Sequence, residues 1–208
     1  MTESNKKRSR TRNRARTRGK LIDAAIALIE ERGMQAVGVN AIAARAGVSK
    51  VLIYRYFSDI HGLFRAVAER LAERGTAPVD VPAGLGDGEP FRRFVRDVLV
   101  NTHTALDEDA VTKRIMVQEL GEDNELTRAI AAAREARGLR ITAAIREAVS
   151  AEVDFEALVA VVSSSIFFLT LKSDRVRMFN GIDLHSEEGW NRICDTLAGL
   201  VDAFLGSS

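Results

Sequence analysis

The chain has 208 residues, of which 46% are apolar and 28% charged. That suits one domain of ordinary size or two small ones around a real core, and it excludes a disordered or fibrous chain. The net charge of +1 hides a split: residues 1–20 hold nine lysines and arginines against Glu3 alone, a net +8, which leaves −7 for the rest. A basic arm on an acidic body is the first functional clue.

Cys194 is the only cysteine. It excludes an intrachain disulfide and a cysteine-based zinc site, and it suits a reducing cytoplasm. No apolar stretch follows the N-terminal charges, so a secretory signal is not expected. The longest uncharged run, Ala157–Leu171, is 15 residues, short of the ~20 that span a bilayer.

In chain order, residues 1–20 read as a flexible basic arm in which arginine alternates with small polar residues. The alternatives are a solubility tail or a membrane-surface tag. Yet the arm has no apolar face to lie on a membrane, and arginine suits phosphates and a narrow minor groove. Leu21, Ala25, Leu28 and Ile29 then recur on one helical face, and Arg32-Gly33 ends that helix. Val39–Ala46 and Ser49–Tyr56 form two short helices around Gly47, and Ser58 or Asp59 caps a fourth helix running to about Arg74. All three prolines fall in residues 75–90, a linker by composition. Helices follow near 90–106, 109–120, 124–150, 154–174 and 187–205. The expected fold is therefore all-α: a helix-turn-helix domain at 21–74, the linker at 75–90 and a helical domain at 91–208.

The run VNAIAARAGVSKVLIYRYF (39–57) carries the strongest signal. Ile42, Ala43 and Ala46 make a small apolar face that a second helix can cross closely. Gly47 turns the chain, Val48 plugs the corner, and Ile53 and Phe57 point inward at i, i+4. Lys50, Val51, Tyr54 and Arg55 are left outward, with Leu52 and Tyr56 at the flanks. A short helix presented this way fits a major groove.

Residues 21–67 resemble the N-terminal domain of the TetR family of transcriptional repressors. The resemblance rests on Asp23-Ala24-Ala25, the Arg32-Gly33 turn, Ile42 to Ser49, and Tyr54 to Phe57. It implies a homodimer, an operator of two inverted half-sites, and a C-terminal domain that binds a small molecule and releases DNA. It also implies DNA contacts at Val39 and Asn40, at Lys50, Val51 and Leu52, and from the hydroxyls of Tyr54 and Tyr56. Arg55 joins that surface, and Arg14, Arg16 and Arg18 of the arm extend it. The chain departs from the family twice. Val51-Leu52 replaces a common Gly-Thr, which makes direct readout apolar, against thymine methyls. Ile60 stands where a phosphate-clamping lysine is common, leaving backbone amides or His61 to substitute.

In the C-terminal half, residues 154–174 are apolar nearly all round, the mark of a helix covered on several sides. Leu158, Val162, Ser165 and Leu169 form one face for a partner subunit, with Val159, Ile166 and Thr170 turned to the chain's own domain. Trp190, Ile193, Leu197, Leu200, Val201 and Phe204 supply a second stripe, giving two helices per chain to a four-helix interface. The alternative is that both stripes are internal core. Phe91, Phe94, Val98, Met116, Phe167 and Phe168, with His103, Thr102 and Gln118 as polar contacts, are the candidates for an effector pocket. Each also reads as ordinary core or surface.

No G-x-S-x-G, phosphate-binding or G-x-G-x-x-G motif occurs, and three scattered histidines make no metal cluster. No catalytic residue, metal or cofactor is therefore expected. The expected partners are double-stranded operator DNA, a second copy of the chain and a partly hydrophobic effector, with no membrane. The competing class is a helical interaction protein whose basic arm grips membrane or RNA. Such a protein has no need of Gly47-Val48-Ser49 followed by two outward tyrosines. Activation in place of repression stays open.

Overall fold

The computed structural model describes residues 3–74, 78–86, 88–149 and 153–206. Among them are nine α-helices: α1 (Glu3–Arg32), α2 (Val39–Ala46), α3 (Val51–Phe57), α4 (Ile60–Ala72), α5 (Glu89–Asp107), α6 (Ala110–Glu119), α7 (Glu125–Arg146), α8 (Phe155–Ser173) and α9 (Glu187–Leu205). A 3-10 turn (Met34–Ala36) joins α1 to α2. The fold is all-α, as the sequence pattern requires. The one addition is a hairpin, β1 (Met178–Phe179) against antiparallel β2 (Ile182–Asp183), turning through Asn180 and Gly181 with both φ positive. Asn-Gly is the residue pair such a two-residue turn favours.

The chain forms two units. One holds the residues up to Ala72 together with Gln118–Arg134, and the other holds Glu73–Val117 and the residues from Glu135 on. This division differs from the linker boundary read from the sequence, because an apolar spacing does not say which helix end packs where. The linker is also not free: Val79, Val81 and Leu85 pack on the cluster of Phe91, Ile145, Phe155, Val201 and Leu205.

In the first unit, Leu21, Ala25, Leu28 and Ile29 of α1 are buried as their spacing demands, together with Ile42, Ile53, Leu63 and Val67. The helix they anchor does not start at Leu21. It starts at Glu3, so the basic segment is helical where a flexible arm was expected. Nothing between residues 4 and 20 breaks a helix except Gly19, which has no contact to relieve. Helix propagation from a packed core costs little, because only its nucleation is unfavourable.

Two glycines set the turns around α3. Gly47 takes a left-handed conformation (φ 64, ψ 36) and ends α2, while the Val48 amide donates to the Ala43 carbonyl at 3.1 Å. Gly62 lets α4 start directly under the end of α3, since a Cβ there would collide with the Phe57 carbonyl oxygen. Asp59, not Ser58, is the cap: its Oδ1 accepts from the Gly62 amide at 2.7 Å.

In the second unit α5 lies against α8 and α9. One apolar cluster gathers Leu99, Ile166, Leu184, Trp190 and Cys194; the other is the Phe91 cluster. Burial pushes the Cys194 thiol up to about 11, so it stays protonated and unreactive. Lys113 is buried and donates to Asp107 at 3.0 Å and Asp174 at 2.6 Å. Burial alone would lower its pKa, but the two carboxylates outweigh that and hold it above the usual lysine value.

Candidate nucleic-acid interface

α3 is seven residues long and amphipathic by necessity. Ile53 and Phe57 are buried, and they fix which face looks out. That face carries Lys50, Val51, Tyr54 and Arg55, all exposed, with Val51 63% and Tyr54 52% exposed. Leu52 and Tyr56 are half-buried at the flanks. On α2, Asn40 is exposed and Val39 half-buried. Of the eight residues singled out on and beside these two helices of the first unit, five are exposed and three half-buried. Val51 and Tyr54, one helical turn apart, place an exposed apolar side chain beside an exposed aromatic one at the centre of that face.

The element is braced from behind. Arg45 of α2 donates two hydrogen bonds to Glu31 of α1, at 2.6 and 2.5 Å. Accepting them holds the Glu31 carboxyl below its usual range. From the N-terminal side, the Arg14 guanidinium lies 5.7 Å from the Tyr56 ring centre and that of Arg18 lies 5.0 Å from the ring of Phe57. Arg16 is exposed.

Beside Ile60, two of the groups named as substitutes have partners within the first unit. His61 Nδ1 is in contact with Glu125 Oε1 at the start of α7, and the Gly62 amide is already spent on Asp59. Gln35 likewise donates to Glu122 at 2.9 Å. These contacts join residues up to 87 positions apart, and no periodicity announces them. Nearby, Glu119 and Arg134 form a half-buried ion pair. Burial raises the Glu119 pKa against the opposing pull of Arg134.

The effector candidates do not gather as one group. Gln118 belongs to the first unit, where it lies beside Gly33, and its Oε1 is buried with no partner among the described residues. Phe94 packs on the Phe91 cluster. His103 belongs with the other cluster: its ring stacks on Trp190 at 3.5 Å and 17°, and its Nδ1 is 3.1 Å from Thr170 Oγ1. Val98, Met116 and Phe167 are half-buried, while Phe168 is 55% exposed and meets Phe179 edge-on. Large apolar residues on neighbouring helices do not reveal which of two clusters they join.

The interface stripes shift as well. Trp190 and Val201 are buried within the chain, which removes them from the outward face. Leu158, Val162, Leu169, Ile193 and Leu197 pack against the two internal clusters and are half-buried, as is Ser165. Exposed instead are, among others, Ala157, Val161, Ser164 and Phe168 on α8, with Leu200 and Phe204 on α9. Ile166 and Thr170 face inward as expected. The exposed row on α8 lies one residue away from the stripe read from the sequence.

Two short helices about a left-handed glycine, with an exposed polar-aromatic second helix, define a helix-turn-helix protein. Residues 21–67 match the model of bacterial regulatory proteins of the tetR family, and this segment is a TetR-family helix-turn-helix domain. Among curated relatives, the HTH-type transcriptional activator FasR of Mycolicibacterium smegmatis is 45% identical over 53 residues, covering 26% of this chain and 24% of its own length. The HTH-type transcriptional repressor KstR of the same species is 37% identical over 78 residues, covering 37% of each chain. The HTH-type transcriptional regulator BetI of Proteus mirabilis is 35% identical over 94 residues, or 45% of this chain and 47% of its own. The chain spans less than half the length of each of these relatives. Among solved structures, a TetR-family transcriptional regulator from Rhodococcus sp. superposes with a TM-score of 0.61 at 21% identity, covering 92% of this chain and 99% of the other. A TetR-family protein from Vibrio parahaemolyticus does so at 0.56 and 21%, covering 88% and 97%. These two likenesses are of fold.

Proposed function

We propose that the chain is a ligand-responsive transcriptional repressor, not an enzyme, that acts in the cytoplasm and binds a palindromic operator as a homodimer. The observation that carries this reading is the outward face of α3, where Lys50, Val51, Tyr54 and Arg55 are exposed over buried Ile53 and Phe57. Lys50, Arg55, Asn40 and the tyrosine hydroxyls supply phosphate and base-edge contacts. Val51, with Leu52 beside it, supplies an apolar contact suited to thymine methyls.

A single short helix reads few base pairs, so a second copy is needed to place two of them ~34–36 Å apart on one face of the duplex. The exposed row on α8 and α9 supports that copy. α8 is long and apolar enough to cross a membrane by length and composition alone. However, its Ile166 and Thr170 are fully buried on the chain's own helices, so a partner protein surface suits its other side better.

In this reading an effector held among α5, α8 and α9 favours a dimer with altered head spacing. Its effect equals its differential affinity for the two states. His103, between Trp190 and Thr170, is the polar residue best placed to answer it. Blocking polymerase at the operator gives repression, and placement upstream of a promoter gives activation, the two polarities named among the relatives. The test is selection of duplex fragments from a random pool at near-physiological salt. An enriched two-fold palindrome supports the reading, and tight binding without an enriched motif overturns it.

A further inference from the structure

Residues 11–20 of α1 carry Arg12, Arg14, Arg16, Arg18 and Lys20, and no acid lies between Glu3 and Asp23. Alternation of arginine with neutral residues has no facial meaning in a coil. In a helix it does, because successive residues turn by about 100°. Arg12, Arg16 and Lys20 then form one stripe about 80° wide. Arg14 and Arg18 form a second, on the opposite side of the helix, about 180° from the first.

The second stripe has a partner within the molecule. Arg14 and Arg18 sit over Tyr56 and Phe57, at the end of the recognition helix. A guanidinium over a ring face is attracted by the ring's quadrupole. Together the two contacts fix the direction in which the basic helix leaves the domain. The first stripe is exposed along its whole length, and the nearest carboxylate that follows it on its own helix, Asp23, lies 3.6 Å from Arg70.

We propose that the basic half of α1 is a second, rigid nucleic-acid surface with divided roles. Arg12, Arg16 and Lys20 contact phosphates of the duplex beside the half-site, and Arg14 and Arg18 are positioning residues that hold the helix to α3. The inference rests on the operator-binding reading above and deepens it. It replaces an arm threaded along the minor groove with a helical rod whose charges are directed. Ala15 is the only aliphatic residue between Thr11 and Lys20, so the rod has no apolar face for a membrane. A duplex carries one phosphate charge per ~1.7 Å of axis, close to the ~1.5 Å rise of the helix. That density counts both strands; the stripe's cations follow one another about every 6 Å, and a single strand, with a charge every ~3.4 Å of axis, has phosphates within reach of each.

The probe is a fluorescein-labelled duplex carrying the palindrome that the wild-type protein selects, with a full helical turn of flanking sequence on each side. Affinity is measured by anisotropy across a range of salt concentrations. In R12Q/R16Q the slope of log K against log salt falls by about 0.9 for each phosphate no longer neutralised, close to 2 per subunit. In R14Q/R18Q affinity falls while the slope changes by less than half as much. Trimming the flanks reduces the wild-type slope and leaves R12Q/R16Q unmoved. A full slope in R12Q/R16Q, or equal effects in the two pairs, overturns the proposal. If the wild-type protein shows no sequence-specific duplex binding at all, the operator-binding reading is what fails. Far-UV circular dichroism of both variants, expected to match wild type, separates a weakened phosphate grip from an unwound helix.

Discussion

His103 and Trp190 stack ring on ring, 3.5 Å apart and 17° from parallel, within the second unit. The stack keeps an ionisable ring against an indole in partly dehydrated surroundings. Burial pushes the His103 pKa below its ordinary value of 6.5, with Asp107 pulling the other way.

The direction of that shift sets an acid dependence. Below pH ~6.5 the unfolded chain takes up a proton that the folded chain declines, so it binds more protons and stability falls with falling pH. Urea unfolding midpoints should therefore drop between about pH 7.5 and about pH 5.5, on either side of that value. His103→Phe should flatten that part of the dependence while keeping the stack. An equal pH response in wild type and variant would show that His103 stays solvated.

Two glycines should respond to alanine with opposite signs. Gly62→Ala forces a Cβ into the Phe57 carbonyl, and neither backbone can yield. A destabilisation of about 2 kcal/mol or more is expected, in the range of strained core changes. Gly138, within α7, has open space at the Cβ position. Alanine there should stabilise by about 0.5–1 kcal/mol through helix propensity. Denaturant melts of the two variants check both signs.

Val161 and Leu200 are 66% and 59% exposed. If a second copy covers them, each contributes about 1.5–3 kcal/mol on burial. Val161→Glu with Leu200→Glu should then weaken self-association at least about a hundredfold, with the far-UV spectrum unchanged. Sedimentation of the double variant as a dimer at the wild-type concentration would rule out this face.

On the recognition helix, charge and shape should separate. Lys50→Ala is expected to lower affinity for all duplexes alike and to reduce the salt slope by about 0.9 per phosphate left unneutralised. Val51→Ala should leave the slope alone and relax preference at one position of each half-site, by about 1–3 kcal/mol at most. Repeating the duplex selection with each variant distinguishes the two outcomes.

The helix-turn-helix was legible because its signals are local. Gly47 must turn left-handed, Ile53 and Phe57 must point inward, and the remaining positions follow from helical geometry. The nine helices of the described residues were legible for the same reason, mostly to within a few residues at each end. The hairpin was not, since β1 and β2 are two residues each and too short for alternation to register. Nor were the His61–Glu125 and Gln35–Glu122 contacts, which depend on where α7 begins in space. The effector candidates were the least legible. Phe94 and His103 both look like pocket residues in one dimension, yet each joins a different cluster.

α1 runs without interruption from the basic segment into the core at Leu21. The azimuth of every arginine on it is therefore inherited from the buried aliphatic residues between Leu21 and Ile29, not chosen locally. One neutral residue inserted after Lys20 would leave charge and helix intact, yet it would swing both stripes by about 100° about the helix axis. Arg14 and Arg18 would leave their rings, and the outward cations would face a new direction. Inserting a full seven-residue repeat, two turns, would nearly restore the phase while lengthening the rod by about 10 Å. The basic segment is thus a set of charges kept in phase by a hydrophobic core, and its length and its angle can be varied independently.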